Sequence, residues 1–261
     1  MRKIIEFFGI SGSGKTKLKN NLKVKNSYDY RSLIYNFSDK HFVLSKDEET
    51  SLLYFRIIKS SLVKKIKYLL KPKKLWESST FKNIKKKETV KNKYLNNYKK
   101  IVSKIFQKTK KKNLIFSNFV LNIISNLKCS NKFKELMKFW FKEEFSSYYL
   151  SKKISNKNLI DSEGFVQRLI IYLYFTEKNK HKTITKKYLN LMPKIDTLVI
   201  VNFNKFFISQ KKLNLPDRIS LKKQIEIFLN VKKIILDKKF KKKITKIIEI
   251  NSKTNLRKIL A

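Results

Sequence analysis

Apolar residues fall into two spacings along this chain. Short unbroken runs read as buried strands, and apolar residues spaced by three and four read as helices with one buried face. Ile4 to Phe8 is the first unbroken run, and a helical pattern follows from Gly14 to about Leu22. Residues 28–37, "YDYRSLIYNF", predict a second short strand or a substrate-facing loop. From about Lys46 to Lys153 the helical spacing dominates. Tyr94, Tyr98, Ile101 and Ile105, with Leu95 and Val102 beside them, make one apolar face, and Lys132 to Leu150 makes another. The aromatic residues of these helices read as core rather than as base-stacking platforms. "KNLI" then predicts a strand ending at Asp161, with a helix from Gly164 to about Thr176. "PKIDTLVIVNF" (Pro193 to Phe203) predicts a central strand punctuated at its start by proline. A helix, a loop with Pro216 and Arg218 and a second helix follow, and "KKITKIIEINSKTNLRKIL" closes with a strand and a short helix.

Strands separated by helices predict an α/β fold with a doubly wound parallel sheet. The whole of 1–261 reads as one domain, with a mainly helical, lysine-rich insertion at about 46–153. Hydrophobic residues at 42% supply enough apolar surface for a packed core. No run is long enough to span a bilayer, Glu6 and the glycines interrupt any signal-peptide core, and the single cysteine, Cys129, allows no internal disulfide. A cytoplasmic protein is the expectation. The sequence leaves the oligomeric state open.

Lys and Arg number 63 against 19 Asp and Glu, a formal charge of +44. Such a balance points to nucleic acid or an anionic surface. The same chain is crowded with Lys, Asn, Ile, Phe and Tyr and has its only alanine at Ala261. That is the pattern of an AT-rich coding sequence, so nucleic acid is a partner the sequence allows without favouring.

Against this background the scarce residues are informative. Three of the four glycines, Gly9, Gly12 and Gly14, lie in "GISGSGKT", and the fourth is Gly164 in "LIDSEGFVQR". The first stretch satisfies the Walker A pattern G-x-x-x-x-G-K-[ST], between a predicted strand and a predicted helix. Glycines there let successive backbone N–H groups, with those of Ser11 and Ser13, wrap phosphates; Lys15 neutralises the β- and γ-phosphates and Thr16 offers a hydroxyl to Mg²⁺. Asp161 falls at a predicted strand tip with Glu163 two residues on. One acid can handle the Mg²⁺ shell and the other the acceptor hydroxyl, and the sequence does not say which. Helix capping by Asp161 or Ser162 is the competing explanation. "DSEG" also fits the D-x-x-G of GTPases, but its distance from the glycine loop and the lack of N-K-x-D exclude that class.

The whole resembles the small-molecule kinases of the phosphate-loop superfamily, especially the thymidylate-kinase and deoxynucleoside-kinase group. The resemblance rests on "GISGSGKT", "DSEGFVQR", "PKIDTLVIVNF" followed by "KKLNLPDR", and the closing "KKITKIIEINSKTNLRKIL". It implies a P-loop NTPase fold of three α/β/α layers with a lid at about 205–220. It implies ATP and Mg²⁺ as cofactors, with the metal at Thr16 and Asp161. Lys15, Asp161, Glu163 and Arg218 would be catalytic, and Lys211, Lys212 and Arg218 would supply the lid. The lid is lysine-rich where the family's is arginine-rich, and Arg168 stands where it can replace the arginine that commonly follows the acid. Arg31 and Arg56 are candidates for acceptor recognition, and His41 and His181 read as surface residues. The implied activity is transfer of the γ-phosphoryl group of ATP to a nucleoside, nucleotide or sugar-like alcohol. An ATP-dependent nucleic-acid-binding protein and a sulfotransferase-like or non-catalytic nucleotide binder stand as alternatives.

Overall fold

The first apolar run forms β1 (Ile4–Phe8), buried along its whole length as a central parallel strand must be. The computed structural model describes residues 3–11, 13–21, 27–59, 84–153, 158–202, 220–237, 240 and 242–250. Gly12, Lys211, Lys212 and Arg218, the lid stretch up to residue 219 and the helix expected after Ile250 lie outside these residues.

The protein is an α/β fold on a five-stranded sheet of order β2-β3-β1-β4-β5, with every pairing parallel. β2 is Ser27–Tyr28, β3 Asn158–Asp161, β4 Ile195–Val201 and β5 Ile244–Ile250. From β1 the chain builds β2 and β3 on one side and then crosses to β4 and β5 on the other. This arrangement is compatible with three α/β/α layers. The reversal leaves a crevice beyond the carboxyl ends of β1 and β3, the usual ligand position in such sheets. In register, Glu6 of β1 stands beside Asp161 of β3.

The stretch from Tyr28 to Phe37 departs from expectation. Only Ser27–Tyr28 is strand, and α2 takes Tyr30–His41, after α1 at Lys15–Asn21. A reciprocal capping box explains the switch: Asp29 accepts from the Ser32 backbone N–H, and Ser32 Oγ accepts from that of Asp29. Tyr30, Leu33 and Ile34 then share the buried face, so aromatic and branched residues that suit a strand are held in a helix. The helices of the expected insertion are α3 (Lys46–Lys59), α4 (Ile84–Thr109), α5 (Leu114–Ser125) and α6 (Asn131–Ser151). α7 (Phe165–Tyr174), α8 (His181–Leu191) and α9 (Leu221–Leu236) complete the described set. On α4, Tyr98, Ile101, Val102 and Ile105 are buried as the spacing predicts, while Tyr94 and Leu95 sit half-buried at its edge. α8 was not predicted, although Thr185, Tyr188 and Leu189 carry its buried face at helical spacing.

Strand alternation gives the sheet two apolar faces. Ile5, Phe7, Ile160, Val199, Val201 and Ile250 form a small cluster under Leu18 of α1. On the other face Ile4, Phe8, Leu159, Leu198 and Ile200 join one large cluster, which also takes residues of α4, α5 and α6. Its centre is aromatic: the Phe116 ring meets Phe141, Phe165 and Tyr188 edge-on, with centroids 5.9, 5.7 and 5.0 Å away. These rings fill the core, as expected, and the exposed large hydrophobic residues among those described are all aliphatic. Among the described residues no helix is long and apolar enough to cross a membrane.

One polar side chain interrupts the large face. Glu6 points from β1 into it between Ile4 and Phe8, with no exposed surface. Its Oε1 accepts from the Tyr30 hydroxyl at 2.6 Å and its Oε2 from the Val166 backbone N–H at 3.2 Å. The carboxylate thereby ties the starts of α2 and α7 to the central strand. Gly164 makes room for it: a Cβ there would lie 2.2 Å from Glu6 Cδ. Its backbone is ordinary extended chain, so space rather than backbone freedom requires the glycine. Gly164→Ala should cost about 1–3 kcal/mol in denaturant unfolding, and the cost should largely vanish in a Glu6→Ala background. An undiminished cost in that background would show that Glu6 is not what the methyl meets.

Candidate functional site

The glycine loop leaves β1 at Gly9 and enters α1 at Lys15. Gly9 is pressed against the sheet, since a Cβ there would lie 2.8 Å from both the Val201 carbonyl oxygen and Ser13 Oγ. Its N–H donates to Gln167 Oε1 of α7 at 3.0 Å. Gly14 has φ +87°, a left-handed conformation that glycine adopts without strain. The Ser13 N–H donates to the Ile10 carbonyl at 3.2 Å, while its hydroxyl is buried with no partner. The Lys15 side chain folds back over the loop, and its ammonium donates to the Gly9 and Ile10 carbonyls at 2.9 and 2.8 Å. Burial pulls its pKa down to about 8, and the opposite charge of Glu163 offsets part of that fall. Ser11 is half-buried and Thr16 is exposed.

Across the crevice, Asp161 ends β3. Its Oδ1 accepts from the Glu163 N–H at 2.7 Å in an Asx turn, and its Oδ2 accepts from the Tyr30 N–H at 2.8 Å. Asp161 therefore holds the turn and the first residue of α2 in place. Burial raises its pKa, against the pull of Lys19. The N-cap of α7 is Gly164, without a side-chain bond, so neither Asp161 nor Ser162 caps that helix. Glu163 is the freer acid, with its side chain 51% exposed.

Arg168 reaches Glu163 from α7. Its Nη1 lies 3.4 Å from Glu163 Oε2, its Nε donates to Glu144 Oε1 on α6, and its guanidinium stacks 4.5 Å over the Trp140 ring. Arg31, a candidate from sequence, donates through Nε to Glu143 Oε2 at 3.1 Å, and Glu143 Oε1 accepts from the Tyr98 hydroxyl at 2.6 Å. Lys19 pairs with Asp29 at 3.3 Å. Lys19, Asp29, Tyr30, Arg31, Glu143, Glu144 and Arg168 line an open cavity of about 170 Å³ beside Asp161, Ser162 and Glu163.

The structure thus gathers Lys15, Asp161, Glu163, Arg168 and Arg31 around one end of the sheet. The Arg56 side chain lies outside the described residues. His41 is exposed as expected, whereas His181 is half-buried against the Thr176 carbonyl at 3.2 Å. Sequence reasoning missed Glu6, Lys19, Asp29, Glu143, Glu144 and Gln167. The pair Glu143–Glu144 left a readable signal in "FWFKEEFSS": adjacent acids amid aromatic residues, in a chain with few acids. Among the described residues, no group of three or more His, Cys, Asp or Glu is arranged to hold a metal.

The chain matches no known protein-family model, no curated protein and no solved structure. Two buried acids stand at the crevice with strongly altered proton affinities. Burial raises the Glu6 pKa from an ordinary 4.5 to about 7, outweighing the hydrogen bonds from Tyr30 and Val166. Burial likewise pushes Glu144 well up, with Arg168 resisting.

A carboxyl with a raised folded pKa holds its proton more tightly in the folded state. Its stabilising contribution is complete below pH 4.5 and is lost as pH rises through about 7. For Glu6 that loss is on the order of 3 kcal/mol. Thermal melts of Glu6→Gln between pH 4.5 and 8 should therefore fall less steeply than those of the natural chain. Parallel curves would show that Glu6 does not titrate in this window.

Proposed function

We propose that this chain is a P-loop NTPase of three-layer α/β/α type, a kinase that transfers the γ-phosphoryl group of ATP to a small-molecule acceptor. The observation that carries the reading is Lys15. Its ammonium is buried in the glycine loop and bonded to two uncharged carbonyl oxygens, with Glu163 the opposite charge that acts on it. A phosphate at the loop would give this cation a charged partner and raise its proton affinity again.

The residue roles follow from position. The Gly9 and Ser13 N–H groups, expected to face the phosphates, are instead bonded to Gln167 and Ile10. The backbone N–H groups of Ser11, Gly12 and Gly14 are left to cradle the phosphates, and Lys15 neutralises charge on the transferred group. Lys212 and Arg218 of the lid would add cations. Glu163 takes the acceptor's hydroxyl proton, held in orientation by Arg168. Asp161 positions the turn that carries Glu163. The freed oxygen bonds to the γ-phosphorus as the bond to the β,γ-bridging oxygen breaks, and ADP leaves. The donor set, an exposed Thr16 hydroxyl and an Asp161 with spare lone pairs, fits a Mg²⁺ that arrives with the nucleotide rather than a resident ion. Such an ion would neutralise phosphate charge when bound.

Lys15→Ala should lower ADP release by about 10²-fold or more, the scale of losing one preorganised charge stabiliser. Undiminished turnover in that variant would sink the assignment. The two acids should separate by readout. Glu163→Gln should reduce turnover and leave the melting temperature nearly unchanged. Asp161→Asn should destabilise the fold by about 1–3 kcal/mol, because an amide nitrogen would face a buried N–H. A reversal of these two results would exchange their roles.

A further inference from the structure

The cavity beside Glu163 has a charge opposite to that of the chain around it. Lys and Arg outnumber Asp and Glu by 63 to 19 overall, yet of the ten described residues lining this cavity five are acids and three are cations. All three cations are already engaged by wall carboxylates: Lys19 by Asp29, Arg31 by Glu143, and Arg168 by Glu144 and Glu163. Among the described residues the wall therefore carries two more carboxyl groups than cations, and each of those cations already faces a carboxyl group.

A second observation says where a ligand would bond. Glu144 is 3% exposed; Arg168 satisfies its Oε1, and its Oε2 is buried with no hydrogen-bond partner among the described residues. A buried carboxylate oxygen without a donor is costly, and a ligand that brings a donor relieves that cost. Hydroxyl and ammonium groups both donate, but only the ammonium also brings a positive charge to a wall with more carboxyl groups than cations. The volume, about 170 Å³, falls below the roughly 300–1,000 Å³ of sites for drug-sized ligands. It suits an amine-bearing ring or short chain, not a nucleotide.

We infer that the acceptor is a small amine-bearing alcohol of the amino-sugar or amino-alcohol class, with its ammonium on Glu144 Oε2 and its hydroxyl turned to Glu163. The inference rests on reading this cavity as the acceptor side of the proposed kinase. Carboxylates rather than guanidinium groups select the substrate, and phosphorylated or carboxylated acceptors are excluded by like charge.

Calorimetric titration of the full chain tests this without requiring turnover. The probes are two matched pairs, glucosamine with glucose and ethanolamine with ethylene glycol, plus glucuronate and thymidine 5′-monophosphate as anions. Within at least one pair the amine should bind roughly 10- to 100-fold more tightly than its neutral partner, the scale of one charge-assisted hydrogen bond. Neither anion should bind in the cavity, and Glu144→Gln should abolish the preference for the amine. Equal or tighter binding of the neutral or anionic probes overturns the inference, as does binding of none. A preference that survives in folded Glu144→Gln also overturns it. Should that variant fail to fold, the natural chain's ranking of the probes decides alone. Parallel ADP-release assays keep the two claims apart. Amine binding without any ATP turnover removes the kinase reading and leaves the ligand class standing, whereas turnover on a neutral or anionic acceptor does the reverse.

Discussion

The buried carboxylate of Glu6 is the interaction on which the arrangement of the crevice depends. A central parallel strand is normally apolar on both faces, and here its middle residue places an acid against the largest cluster of the protein. Burying a carboxyl is unfavourable unless it is bonded, so the surrounding chain is constrained to supply donors. The Tyr30 hydroxyl and the Val166 N–H do so, and each belongs to the start of a helix that borders the crevice. Gly164 must then be free of a side chain for that approach to occur. One acid in β1 thus fixes where α2 and α7 begin. Those starts in turn fix Asp29, Arg31, Gln167 and Arg168.

A second fastening follows from the first. Asp161 stands level with Glu6 in the sheet and accepts from the backbone of both Tyr30 and Glu163. Tyr30 is consequently held from two strands, by its hydroxyl to β1 and by its N–H to β3. This double attachment has a simple consequence: the turn carrying Glu163 cannot move relative to the glycine loop without breaking buried hydrogen bonds.

Much of the fold was legible because its signals are local. Strands β1, β3, β4 and β5 and the long helices follow from unbroken and periodic apolar runs, and the glycine pattern pointed to both sides of the crevice. What escaped was decided by partners distant in sequence. Residues 28–37 read as a short strand or a loop, and the Asp29–Ser32 capping box, with burial against the large cluster, makes most of them part of a helix. A scarce glycine at 164 marks backbone freedom or a close approach; the approach is the reason, and the group that approaches is Glu6, 158 positions earlier. Glu143 and Glu144 carry no motif. They become part of the site only because α6 lies beside α2 and α7, where Arg31 and Arg168 reach them.

The charge of the chain is best understood by where its acids stand. In a protein covered with lysine, an acid on the surface meets a cation readily and contributes little. Glu177, for example, lies on the surface between Lys128 and Lys180. The acids of the crevice are different, since most are buried and bonded to arginines, tyrosine hydroxyls or backbone N–H groups chosen by the fold. Arginine is scarce in this sequence, and two of its six copies lie in the cavity wall, each beside a buried glutamate. A lysine cannot serve two carboxylates and stack on an indole with one planar group, as Arg168 does with Glu144, Glu163 and Trp140. The local geometry therefore requires guanidinium where composition would have supplied ammonium, and this sets the cavity apart from the lysine-rich surface around it.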